Sequence, residues 1–352
     1  MTSDDILLRS ILEFSKGTHT VDGAFDDLLE KKISIPQGAR ELASTSHKHL
    51  RKFLSNQASN DKTFPRVLSV GDEDFIGGSF DRHTKDKPLD DIDVYMPLDG
   101  HDLIYTQGGT RLPYAVVSDG VLSANPILNY RWMNGLHVSS QKLVNEFSAV
   151  LRNHYKKTSI RPDEQAVRID MENGLGFDVV PCFSLKPDDS SGYRFYLIPD
   201  GKDGWIRTNP RIDAIVGDQI HKASPGYRKA IRLIKHWNSV SLNRDLSSYY
   251  IELAIMRTAI TENARLQQVS YSVAFGFWAL SQAANRGNLT SWLAERLPGV
   301  PPVEPGVLME PHRKLINLAA SRSKAAWESE QAGNAEEAIH QWRVVFSDSF
   351  GL

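Results

Sequence analysis

The chain has 352 residues, 41% of them hydrophobic, 24% charged and 9% aromatic, the balance of a folded globular protein rather than a disordered one. Its 41 basic and 43 acidic residues leave a formal charge of −2, which excludes a global positive field for nucleic acid or anionic lipid, so any polyanion site has to be local. The single cysteine, Cys182, excludes an internal disulfide and multi-cysteine zinc sites, and a length of 352 residues suits two lobes with a cleft between them.

The polar start MTSDDILLRS lacks the order of a secretory signal, and no apolar run approaches the roughly 18–20 residues of a membrane span, so a cytoplasmic location without membrane partners is expected. Residues 38 to 57 read as a helix, with Leu42, Leu50 and Leu54 near helical spacing. The short runs RVLSVG (66–71) and DIDVYM (91–96) read as strands, and residues 97 to 138, dense in Gly, Pro, Asn and Asp, as a long, partly irregular insertion. A helix is predicted over about 139–155, then two strands joined by the turn ENGLG within AVRIDMENGLGFDVVPCF. From about residue 210 the pattern is mostly helical, with YRKAIRLIKHWNSV, SSYYIELAIMRTAI, YSVAFGFWALSQAAN and a last helix near 334–346, interrupted by the stiff connector LPGVPPVEPGV. Strands first and helices afterwards predict an α+β lobe followed by a helical lobe.

Chemistry concentrates in FIGGSFDRHTKDKPLDDIDVYM (75–96). Alternate side chains of a strand share a face, so Asp91, Asp93 and Tyr95 point one way and Ile92, Val94 and Met96 the other. Two carboxylates ~6.5–7 Å apart along a strand repel unless a cation partners them, and all-oxygen ligands suit Mg²⁺ or Mn²⁺. Asp178, in the apolar run GFDVVPCF, is a third acid without a packing reason, and a neighbouring strand about 4.8 Å away could bring it in. Three carboxylates can hold two ions for in-line phosphoryl displacement. The spacing is wrong for a calcium loop. Gly78 and Ser79, as the chain turns into a helix, can bring backbone N–H groups and a hydroxyl close to a phosphate, although no Walker lysine follows.

GGSFDRHTKDKPLDDIDVYM together with GFDVVP resembles the signature of the DNA polymerase β-type nucleotidyltransferases. IPDGKDGWIRTNP, RLIKHWN followed by LSSYYIE, and the terminal AIHQWRVVF are similar to the cGAS/DncV-like nucleotidyltransferases (CD-NTases) of bacterial CBASS anti-phage signalling, relatives of oligoadenylate synthetase. The resemblance covers roughly residues 35 to 350 and implies a bilobal fold. A nucleotidyltransferase lobe of mixed β-sheet with helices (residues 1–205, including an N-terminal spine helix) would precede a C-terminal helical-bundle lobe (206–352), with the active site in the cleft. It implies that Asp91 and Asp93 hold two Mg²⁺ or Mn²⁺ ions per active site and that Asp178 completes the second site. The same resemblance implies that Gly78 and Ser79 hold the donor triphosphate, that Lys235 and Ser248 bind it, and that Tyr249 stacks on the base and would tolerate phenylalanine. Arg82 and Arg232 are further candidates, Arg82 standing between Asp81 and His83 where the family often has smaller neighbours.

The activity implied is the joining of NTPs, ATP among them, into a cyclic di- or trinucleotide or short oligonucleotide that a separate effector senses. A regulatory protein partner is compatible with this, and long nucleic acid is not expected. The rivals are RNA terminal nucleotidyl transfer, of CCA-adding or poly(A) type, and a non-catalytic nucleotide- or partner-binding module. By periodicity, Arg228, Arg232 and Lys235 form a basic stripe beside Ala230, Ile234 and Trp237, which a solvated helix face would also explain. Cys182 reads as a core residue, and the eleven histidines show no zinc spacing. HKHLRK (47–52) and HYKK (154–157) read as solvated faces.

Overall fold

A computed structural model of the chain describes residues 20–68, 75–107, 114–120, 124–132, 135–186, 194–296, 300–347 and 350. In chain order, α1 (Val21–Leu28) runs into a π-helical turn (Leu29–Ile33), and α2 (Gln37–Asn60) follows Pro36. Then come β1 (Phe75–Ile76), the single turn α3 (Gly78–Asp81), β2 (Ile92–Pro97), β3 (Leu103–Gln107), β4 (Tyr114–Ser118) and α4 (Ser140–His154). Five strands follow: β5 (Ser159–Asp163), β6 (Ala166–Asp170), β7 (Gly176–Ser184), β8 (Tyr196–Pro199) and β9 (Trp205–Thr208). The rest is helical: α5 (Pro210–Ala223), α6 (Gly226–Ser241), α7 (Ser248–Thr261), α8 (Val269–Arg286), α9 (Trp292–Arg296), α10 (Glu310–Gln331) and α11 (Ala335–Phe346).

The chain forms two compact units. The sheet unit comprises Ile35–Asp81 and Pro88–Ile212, and the helical unit takes the described residues before Ile35, Arg82–Lys87 and those from Asp213 onward. The units divide at 212/213, where the sequence suggests 205/206; α2, the N-terminal helix read from the sequence, lies in the sheet unit, and α1 groups with the helical unit. Packing explains the grouping of α1. The buried face of α1, Val21, Ala24, Phe25 and Leu28, joins the helical core, and Phe25 stands edge-on to Trp342 and Phe350 at 4.9 and 4.7 Å between centroids.

In the sheet unit the nine described strands form one mixed sheet in the order β1-β2-β7-β8-β9-β4-β3, with β6 bridging β7 to β5. Only β2 and β7 pair in parallel among the described strands; the remaining pairs are antiparallel. The region 97–138, expected to be partly irregular, supplies β3 and β4, paired from Leu103↔Ser118 to Gln107↔Tyr114. RVLSVG contributes an isolated bridge, Val67↔Leu98, and its residues 69–71 lie outside the described residues. The turn ENGLG closes the β6–β7 hairpin as read from its Asn-Gly. Ser139 caps α4 by accepting from the Lys142 N–H at 3.0 Å, and Leu143, Phe147 and Leu151 form its buried face. On α2 the buried face is Ala43, His47, Leu50 and Leu54, whereas Leu42 is exposed, because Ala43 rather than Leu42 falls in phase with Leu50 and Leu54. His47, read as part of a solvated face, is buried as well.

In the helical unit α6, α7 and α8 share a core with α10, α11 and α1, containing Tyr227, Ile234, Trp237, Tyr250, Phe277 and Trp342. No described helix is long and apolar enough to cross a membrane.

Candidate active site

The carboxylates of the sheet unit are placed by strand register. Along β2, Ile92, Val94 and Met96 are buried while Asp93 and Tyr95 are half-buried, the alternation expected of a strand with one packed face. Asp91, exposed, precedes the first residue of β2. Parallel pairing sets Asp93 directly beside Asp178 on β7, which is buried along most of its length and shows Asp178 as a polar interruption. The two acids, 85 positions apart in sequence, thus become lateral neighbours on one face, ~4.8 Å apart between strands.

The glycines are fitted to these acids. Gly77 donates its N–H to the Asp93 carbonyl at 2.9 Å. Gly78 has φ +65°, in the left-handed region, and a Cβ there would collide with the Asp93 carboxylate. The one-turn helix α3 then begins at Gly78 and carries Ser79, half-buried. So the segment proposed to meet a phosphate is packed against the strand that bears the acids.

Arg168, which the sequence reading missed, faces Asp178 across the β6–β7 ladder. Its guanidinium donates to Asp178 at 3.2 Å, to Asp170 at 2.7 Å and to the Asp90 carbonyl. Its alternation with Val167 and Ile169 on β6, opposite the Asp178 strand across a tight turn, was the available signal. Burial pushes the Asp178 carboxyl up to about 6; Arg168 opposes the shift and the charge of Asp91 adds to it. Burial also works against the charge on Arg168, but Asp170 and Asp178 outweigh it and raise its pKa.

This donor set suits a hard divalent cation in its chemistry: carboxylate oxygens only, two in register and a third at the strand entry. Among the described residues no three His, Cys, Asp or Glu side chains are drawn into a finished metal cage. Arg168 meanwhile engages both Asp178 oxygens.

The other candidates belong to the helical unit. The basic stripe is anchored rather than free. Arg228 pairs with Asp218, Arg232 donates to the Ser34 hydroxyl at 3.3 Å, and the Lys235 side chain is 3% exposed. The Lys235 ammonium donates to Glu252 at 3.0 Å and to the Thr84 carbonyl at 3.2 Å, which corrects the picture of an open cation. Arg82 donates to the other Glu252 oxygen at 2.8 Å and lies 5.7 Å from the centre of the Tyr249 ring. Burial would raise the Glu252 carboxyl, but the charges and hydrogen bonds of Arg82 and Lys235 prevail and hold it at about 2. Tyr250 is buried and Tyr249 half-buried. The Tyr249 hydroxyl, however, donates to buried Asp213 at 2.8 Å, so it has a structural partner and tolerance of phenylalanine is no longer expected. Ser248 is exposed at the start of α7, while Ser247 provides the cap. Asp200, in IPDGKDGW, organises a turn by accepting from the N–H groups of Lys202, Asp203 and Gly204. Cys182 is buried, as expected.

Residues 114–214 match the model of the Second Messenger Oligonucleotide or Dinucleotide Synthetase domain, the segment that holds Asp178. In this segment the chain is similar to synthetases of second-messenger oligonucleotides or dinucleotides. A probable cyclic nucleotide synthase of Bacillus cereus (strain VD146) is 28% identical to it over 239 residues, 67% of this chain and 70% of that protein. Among solved structures, CdnC of E. coli MS115-1 with ATP matches with a TM-score of 0.62 at 16% identity over 95% of this chain and 99% of that one. The same protein in complex with HORMA-deltaN matches with a TM-score of 0.61 at 16% identity, over 94% and 98% of the two chains. Vibrio cholerae DncV cyclic AMP-GMP synthase, in complex with the linear intermediate 5′ pppA(3′,5′)pG, matches with a TM-score of 0.61 at 14% identity over 94% of this chain and 97% of that one. These likenesses show that the chain shares the fold of these proteins, consistent with the bilobal polymerase β-type architecture expected from the sequence.

Proposed function

We propose that this nucleotidyltransferase joins NTPs, ATP among them, into a cyclic di- or trinucleotide or a short oligonucleotide: a 3′-hydroxyl loses its proton and attacks an α-phosphate, whose bond to the β-phosphate breaks to release pyrophosphate. The observation that carries the reading is the lateral pairing of Asp93 with Asp178, with Gly78 packed on the Asp93 carboxylate. Asp91, Asp93 and Asp178 would hold Mg²⁺ or Mn²⁺, two ions per site. When bound, such ions neutralise phosphate charge and acidify the attacking hydroxyl. The chain's own residues do the positioning. Gly78 and Ser79 offer N–H and hydroxyl donors to the donor triphosphate, and Arg168 fixes the orientation of Asp178. Tyr249 offers a ring face to a base, and Ser248 an exposed hydroxyl. Lys235, buried on Glu252 and the Thr84 carbonyl, acts as an anchor for Glu252 rather than as an open phosphate ligand.

By likeness to CdnC, whose structure is also known in complex with HORMA-deltaN, we assign the chain a regulatory protein partner. The cyclic product would be sensed by a separate effector in anti-phage defence, in the cytoplasm. Incubation with radiolabelled NTPs, with and without RNA, tests the reading. A small phosphatase-resistant product that forms without RNA is expected, and lengthened RNA in its place would favour a terminal transferase.

A further inference from the structure

The helical unit contains a cavity that shares no lining residue with the carboxylate site or with the Arg82–Glu252–Lys235 cluster. It has a volume of about 570 Å³, within the ~300–1,000 Å³ usual for small-molecule sites, and opens between α8, α10 and the loop after α7. Its walls are aromatic: Tyr271, Phe275, Trp278 and Trp327 line it. The rings follow one another at centroid distances of 5.2 Å (Tyr271–Trp327), 6.3 Å (Tyr271–Phe275) and 5.5 Å (Phe275–Trp278). Ala274 and Ala320 keep the space between the two helices open where larger residues would fill it.

Three observations argue for a ligand rather than imperfect packing. Trp278 is 40% exposed, a large indole left facing solvent at the cavity wall. Trp327, half-buried, adds a second indole to the wall. The cavity also adjoins a second, polar one of about 240 Å³, with which it shares Trp278 and Glu262. Arg257 and Arg286 line that second cavity, and Arg265 and Lys324 line the first, so cations outnumber the one shared acid. Arg257 is tied to Glu295 at 2.6 Å, whereas the exposed Arg286 guanidinium has no hydrogen-bond or ion-pair partner among the described residues.

We infer that these adjoining cavities form a binding site for a flat heteroaromatic molecule with an anionic tail. The ring would lie against the aromatic walls, and the anion would lie beyond Trp278 against Arg286. Stacking supplies affinity with little regard to ring identity, and the guanidinium supplies the preference for charge.

The test titrates the whole protein into flavin mononucleotide and, in parallel, into riboflavin, which has the same ring without the phosphate, following quenching of flavin fluorescence. Flavin mononucleotide is expected to bind at least tenfold more tightly than riboflavin. Trp278→Ala should weaken both ligands at least tenfold, and Arg286→Ala should weaken flavin mononucleotide alone. Both side chains are exposed, and unchanged melting temperatures would show that the variants fold. No quenching at millimolar flavin mononucleotide, or equal affinity in Trp278→Ala and the wild type, would overturn the site. Equal affinity for the two flavins would overturn the anionic half of the proposal.

Discussion

Gly78 has no space for a side chain, since its φ is +65° and a Cβ would enter the Asp93 carboxylate. Gly78→Ala should cost about 1–2 kcal/mol in backbone strain. It should also displace Asp93 and slow product formation on the order of 100-fold, the scale reached by ångström misplacement of a reacting group. Thermal melts beside rate measurements check this, and a wild-type rate would separate Gly78 from the placement of Asp93. At Tyr249 the ring and the hydroxyl can be told apart. Tyr249→Phe keeps the π-face but leaves buried Asp213 without its donor, a loss of about 1–3 kcal/mol. A lower melting temperature with Michaelis constants for ATP and GTP that move together is the expected result. A base-selective change would show that the hydroxyl reads the base.

At the level of elements, α6 and α7 are joined by charge as well as by apolar packing, because Glu252 on α7 meets Lys235 on α6 and Arg82 from the loop Arg82–Lys87. Replacing one member leaves the others buried and unpaired, so Glu252→Gln should destabilise the protein by roughly 3–5 kcal/mol. The pH dependence follows from the sign of the shift. The folded-state pKa of about 2 lies below the ordinary 4.5, so the carboxylate's contribution is complete above about pH 4.5 and is lost as pH falls toward 2. Over that window the wild-type melting temperature should fall more steeply than that of Glu252→Gln, and parallel curves would contradict the linkage. The helix α1 makes a similar point with apolar contacts alone. Phe25 is fully buried against Trp342, Phe346 and Phe350, so Phe25→Ala should cost about 3–5 kcal/mol in denaturant unfolding. A loss below 1 kcal/mol would mean that α1 is dispensable to the helical unit.

For the molecule as a whole, the division of labour between a sheet unit with the acids and a helical unit with Tyr249 and Ser248 gives separable expectations. Asp91→Ala with Asp93→Ala should abolish product while the melting temperature holds or rises, because removing like charges near Asp178 relieves repulsion. EDTA should stop the wild-type reaction, and added Mg²⁺ or Mn²⁺ should restore it. Turnover in the double variant, or in EDTA, would refute the carboxylate mechanism.

Period and spacing were legible in the sequence wherever the cause is local. The alternation that turns Asp93 and Tyr95 away from the packed face of β2, the Asn-Gly turn of the β6–β7 hairpin, and the phases of α4, α6, α7 and α8 all follow from side-chain direction along a single element. The resemblance of GGSFDRHTKDKPLDDIDVYM and GFDVVP to a nucleotidyltransferase signature then joined Asp91, Asp93 and Asp178 across the chain. What no local pattern contains is who meets whom. β2 lies parallel to β7 in one register, and a slip of one residue would turn Asp178 to the opposite face. Arg168 reaches Asp178 only through the β6–β7 ladder. The stripe of Arg228, Arg232 and Lys235 has the period of a solvated face, yet partners distant in sequence, Ser34 and Thr84, turn Arg232 and Lys235 into anchors. Buried charge must be paired, and the partners it finds are fixed by how helices pack, so tertiary structure alone decided which cations of this chain are structural and which remain available to a ligand.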